Sequence, residues 1–202
     1  MTYMYSVVAH ITDVQGFADA GNSWAGDRLR DFGAVDFTAS QVVMGGEMAG
    51  MVICGFEFET ADDAMAANAA IYSDDAMTTM MRDTQVNVVR RGLFKVQAEV
   101  GSRTGAVGTI LYVGGRVIDD ATAASNLELN WKYMSSGSNG IVSLLSLANG
   151  PSPFVGTAVT FADSLDALLA SSQAMFAEPE VQTAMANSGL TVLGRVMTRR
   201  LV

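Results

Sequence analysis

The chain has 202 residues, half of them hydrophobic and only 16% charged, with a formal net charge of −9; this excludes a disordered chain and leaves ample material for a core. Lys95 and Lys132 are the only lysines, so the clustered basic surface that binds nucleic acid or anionic membranes is lacking. Cys54 is the sole cysteine, which excludes an internal disulfide, and no apolar run approaches the roughly 20 residues of a membrane-spanning helix, so a soluble cytoplasmic protein is expected.

From the N-terminus, residues 3–12 alternate polar and apolar as a strand does, without the basic, apolar build of a signal peptide. Asp13 is placed to cap a helix carrying Phe17, Gly21, Trp24, Leu29 and Phe32, which Gly33 ends. Residues 35–44 and 50–59 read as a strand pair joined at Gly45-Gly46. A second helix opens at Thr60-Ala61-Asp62-Asp63 and sets Met65, Ile71, Met77, Met80 and Met81 on its apolar side, where methionine reads as core filler. Residues 86–98 form a closing strand.

The same order then recurs: strand 107–118, helix 120–135, strands 141–148 and 154–161, a helix from Ser164 that Pro179 breaks or restarts, and strand 190–201. "VVAHITD" (Val7 to Asp13) aligns with "VGGRVID" (Val113 to Asp119). Trp24 falls on Trp131, Phe58 on Phe161, Asp63 on Asp166, Arg91 on Arg195 and Lys95 on Arg199, always at offsets between 103 and 107. The chain therefore reads as one β-α-β-β-α-β unit written twice, residues 1–100 and 107–202, joined by a linker at 101–106 within "EVGSRTGA".

Two such units in tandem resemble the dimeric α/β-barrel superfamily of ferredoxin-like folds. "AEPEVQTAMANSGL" (Ala177 to Leu190) is similar to the helix before the last strand in antibiotic-biosynthesis-monooxygenase-like proteins. The resemblance implies an α+β fold whose two antiparallel sheets, here both from one chain, face each other under an outer layer of helices. It also implies a range of activities, from cofactor-free oxygenases and isomerases to haem enzymes, so the fold alone does not assign one.

Alternation sorts the strands into two faces. Val7, Ala9 and Ile11 form a helix-facing set, which leaves Ser6, Val8 and His10 for the lumen, matched through the repeat by Tyr112, Gly114 and Arg116. Arg91 and Arg195 share a phase and are expected in the lumen, with Lys95 and Arg199 nearer the rim. Val52, Cys54, Phe56 and Phe58 face the helices, leaving Met51, Ile53, Gly55 and Glu57 inside; Cys54 then reads as a buried apolar residue and not a nucleophile. A lumen holding His10, Arg91, Arg116 and Arg195 among Tyr112, Met51 and Phe154 suits a small organic anion or a polarised carbonyl, unless the cations pair with Glu57 and fill the centre.

One His and one buried Cys cannot make a zinc site, and no metal is expected. Duplicated barrels of the superfamily that bind haem carry its histidine on a second-half helix; no His follows residue 10, so no cofactor is expected either. Ser6 lies four strand residues from His10, roughly 13 Å, too far for a nucleophile–base pair. "VMGGEMAG" lacks the Lys-Ser/Thr ending of a phosphate loop and reads as a hairpin turn. Two main functions stay open, a non-catalytic small-ligand barrel, possible also as a homo-oligomer, and a cofactor-independent oxygenase or isomerase in which His10 is the base and Arg116 or Arg195 steadies the anion. A structural assembly protein is the third.

Overall fold

The computed structural model covers residues 1–202. The first half runs β1 (Tyr3–Ile11), α1 (Val14–Ala20), a π turn (Gly21–Ala25), α2 (Gly26–Asp31), β2 (Asp36–Met44), β3 (Val52–Phe58), α3 (Ala61–Ser73), α4 (Asp75–Asp83) and β4 (Val86–Gly101). The second runs β5 (Val107–Gly115), α5 (Asp120–Met134), β6 (Gly140–Ala148), β7 (Gly156–Ala162), α6 (Leu165–Ala177), α7 (Pro179–Ser188) and β8 (Leu190–Arg200). No helix is long and apolar enough to cross a membrane.

Polar caps start the helices at matching places. Asp13 and Asp119 accept from the backbone N–H groups of Gly16 (2.9 Å) and Thr122 (2.8 Å), and Thr60 and Ser164 accept from Asp63 (3.0 Å) and Ala167 (3.3 Å). Asp74 divides the second helix of the first half and caps α4 through Met77 N (2.9 Å). In the second half Pro179 opens α7 and Gly189, at φ +66°, ends it.

All eight strands pair antiparallel into one closed barrel in the order β1-β3-β2-β8-β5-β7-β6-β4. The expected α+β barrel of two facing sheets is what the chain builds, with β2–β8 and β4–β6 as the seams between halves.

Two β-bulges set the phase of the closing strands. On β4 Arg90 pairs with Val8 and Val88 with Ala9, so Val89 is an extra residue. On β8 Gly194 pairs with Tyr112 and Val192 with Val113, so Leu193 is extra in the same place. Val8 and Tyr112, like Arg90 and Gly194, are 104 residues apart. The repeat mate of His10 is therefore Gly114 and not Arg116, which lies beyond the end of β5.

Helices cover the outer faces. Seventeen buried residues make the core between the first-half helices and their strands, centred on Val52, Phe58, Ala39 and Leu29, but only seven make its second-half counterpart. A third cluster, Phe94, Val142, Leu144 and Phe154, lies inside the barrel.

Candidate functional site

The lumen holds a cavity of about 100 Å³. Mainly residues of one phase on each strand line it. Met4, Ser6 and Val8 come from β1, Thr38 and Ser40 from β2, Ile53 and Gly55 from β3, and Arg90 and Phe94 from β4. The other half adds Ile110 and Tyr112, Val142 and Leu144, Thr157, Val159 and Phe161, and Thr198 and Arg200. The β1–β3–β2–β8 wall is rich in hydroxyls, whereas the β5–β7–β6–β4 wall is mostly hydrocarbon.

At one mouth, Arg90 lies over the Phe154 ring at 5.6 Å and beside Tyr112. Arg90 takes part in none of the chain's ion pairs. Burial raises the Tyr112 phenol above its ordinary value, and the opposing effect of the Arg90 charge is smaller, so the phenol stays protonated. It donates to Met48 Sδ at 3.5 Å, a weak acceptor. Phe154 packs against Tyr112 and Phe94, at 5.2 and 6.2 Å between ring centroids.

The opposite end is closed by an ionic plug. Arg103, from the segment between the halves, pairs with buried Glu57, with Glu99 at 2.6 Å and with Asp36 at 3.3 Å. Burial alone would lower the Arg103 guanidinium, but the hydrogen bonds it donates to Glu57 and Glu99 outweigh it and hold the group above its ordinary value. Thr2 Oγ1 also donates to Glu57, and Arg200 donates to the Arg103 carbonyl.

The sequence-derived candidates scatter. Tyr112 lines the cavity. Glu57 has the lumen phase, but its carboxylate is engaged by Arg103 and Thr2 and does not line the cavity. His10 continues the lumen phase of β1 to the exposed rim and does not line the cavity either.

Arg91 and Arg195 are not in the lumen. They face the helices, where Arg91 donates to the Tyr72 hydroxyl and Arg195 to Ser172 Oγ, both at 2.7 Å. The Tyr72 hydrogen bond raises Arg91, while burial lowers Arg195. Each residue carries the phase opposite to its neighbour, Arg90 or Gly194, and the bulge hides that phase from simple alternation. Arg116 lies outside the barrel, donating to the Asn187 carbonyl at 3.1 Å. Met51 is likewise absent from the lining. Arg90 is a lumen cation that alternation missed; the pairing of Val8, read as lumen-facing, with the first Arg of "VVRRG" would have found it.

No protein-family model matches the sequence, and a search of curated proteins finds no match. Solved structures do match over nearly the whole chain. A candidate chlorite dismutase aligns with a TM-score of 0.58 and 8% identity, covering 98% of this chain and 94% of its own. A candidate monooxygenase from Lactobacillus acidophilus NCFM aligns at 0.56 and 10%, covering 100% and 95%. An anthrone oxidase-like protein aligns at 0.51 and 13%, covering 98% and 93%. The chain has the dimeric α/β-barrel fold. It is a single-chain version, in which two ferredoxin-like repeats supply the two sheets of the barrel.

For haem, which some barrels of this fold bind, the donor set decides. The cavity bounded by the second-half helices is lined by no His, Cys or Tyr; its only sulfur donors are the thioethers of Met175 and Met185. These residues do not fit a histidine-ligated haem. No group of three or more His, Cys, Asp or Glu converges anywhere in the fold.

Proposed function

We propose that the barrel lumen binds a small organic molecule bearing one anionic or carbonyl group. The observation that carries this reading is Arg90, a half-buried guanidinium facing a largely apolar cavity with no carboxylate partner. A guanidinium so placed offers unused N–H donors to an anion entering the cavity. Tyr112 adds a second donor whose present acceptor is only a thioether. Together they suit the oxygen atoms of a carboxylate, enolate or phenolate, while the hydrocarbon wall receives the rest of the molecule. A cavity of about 100 Å³ limits the guest to roughly one small ring.

Benzoate is a suitable probe. Titration calorimetry should detect benzoate in preference to benzyl alcohol, and Arg90→Gln should weaken benzoate about tenfold or more. Benzoate binding that survives Arg90→Gln unchanged would remove the lumen reading.

A second reading, cofactor-independent oxygenation or isomerisation, is favoured by the position of His10 at the same mouth as Arg90. Its strand neighbour Val8 pairs with Arg90, and candidate monooxygenases share the fold. In that reading His10 takes a proton from the guest while Arg90 and Tyr112 hold the oxyanion. His10→Ala would then leave benzoate binding intact and abolish deuterium exchange into a bound β-diketone. Exchange at the wild-type rate would dismiss His10 as the base.

A further inference from the structure

The second half holds another cavity, outside the barrel wall, between the outer faces of β5 and β7 and helices α5, α6 and α7. Its volume, about 130 Å³, exceeds that of the lumen. The counterpart under the first-half helices is about 60 Å³. The repeat accounts for part of the difference, although it also sets Gly21 against Leu127 and Ala64 against Leu168. Asp13 and Asp119 cap equivalent helices, which sets Phe17 opposite Ala123; α4 and α7 start at Asp75 and Pro179, which sets Met77 opposite Val181 and Met80 opposite Ala184. Three large side chains that fill the first half are small in the second. The buried core shrinks with them, from seventeen residues to seven. A void of this kind is destabilising in proportion to its volume unless something fills it.

Its chemistry is one-sided. Leu111, Val113, Leu127, Met175 and Met185 supply hydrocarbon and thioether. No Asp or Glu lines the cavity, although acidic residues outnumber basic ones 21 to 12 in the chain. Arg116 is its only charged residue. Arg116 is exposed, forms no ion pair, and spends one donor on the Asn187 carbonyl. Its remaining N–H groups are free for a carboxylate at the cavity edge.

We propose that this helix–sheet cavity is a second binding site, distinct from the lumen, for a medium-chain monocarboxylate whose head pairs with Arg116 and whose tail fills the space left by Ala123 and Val181. The apolar tail gains from leaving water, and the single cation fixes the direction of entry.

Octanoate and octanol are the probes, titrated by calorimetry into the intact protein. Octanoate should bind, Arg116→Gln should weaken it at least about tenfold while leaving octanol unchanged, and Arg90→Gln should leave octanoate unchanged. Ala123→Phe combined with Val181→Met, which restores the first-half side chains, should abolish binding of both probes and raise the melting temperature. Absence of octanoate binding would overturn the proposal. So would octanoate binding that the folded filled variant retains, or that responds to Arg90→Gln and not to Arg116→Gln. Should the filled variant fail to fold, the Arg116→Gln and Arg90→Gln pair decides.

Discussion

Cys54 lies on the helix-facing side of β3, 4% exposed between β1 and β2. Burial pushes its thiol up to about 12 from an ordinary value near 9.0, because a thiolate there would lose its hydration. The folded protein therefore holds this proton when the unfolded chain has lost it. The stability that follows is fully present below pH 9.0 and falls as pH rises toward about 12. Tyr5 and Tyr112, also raised by burial, join that decline only above 10.0. Urea midpoints measured between about pH 8 and 10 should drift down in the wild type and stay flatter in Cys54→Ala. Ellman's reagent should leave native Cys54 untouched at about pH 8 and modify it once the chain is unfolded. Rapid native modification would contradict the burial of β3.

The helices begin where the sequence places a cap, and this is the most transferable element-level feature of the fold. Thr60 satisfies the Asp63 N–H, so Thr60→Ala should cost about 1 kcal/mol in a denaturation experiment. A cost near zero would mean that α3 is held by packing alone, through Ala64, Ala67 and Ile71. Caps, turn glycines and helical periodicity are local signals, which is why element order, the restart at Pro179 and the duplication were legible. The closing strands were not legible in the same way. In β4 both "VNV" and "RRGLFK" alternate, but Val89 sits between them as an unpaired extra residue and reverses the phase. Extrapolating alternation through a bulge sends Arg91 inward and Arg90 outward, the reverse of the fold. Leu193 does the same on β8, so the repeat copied the deviation and could not expose it. Tyr112 follows simple alternation to the cavity lining because β5 runs regularly through Tyr112 before its shift at Val113. Arg116 escaped because the strand stops at Gly115, a glycine at φ +104° that turns the chain out of the sheet.

At the scale of the whole molecule, the barrel has one end that could admit a ligand and one that is locked. The lock joins parts distant in sequence. Arg103 belongs to the crossing between halves, Glu57 and Asp36 to the first half, and Arg200 to the last strand. Its side chains are largely withdrawn from water, 15% exposed for Arg103 and 6% for Glu57, so salt should screen the pair poorly. Removing only Arg103 would leave Glu57 buried with Thr2 as its remaining side-chain donor. Arg103→Met should therefore cost about 3 kcal/mol or more in urea unfolding, since an uncompensated buried charge is the expensive outcome. Glu57→Met alone should cost less, because Arg103 keeps Glu99 and Asp36. The double variant Arg103→Met/Glu57→Met should recover much of the Arg103→Met loss, since neither charge is then stranded. Additive losses in that cycle would show that the plug acts through packing and not through charge. Recovery of stability together with unchanged benzoate binding would separate the lock at this end from the Arg90 mouth at the other, as expected if one barrel end serves stability and the opposite end serves recognition.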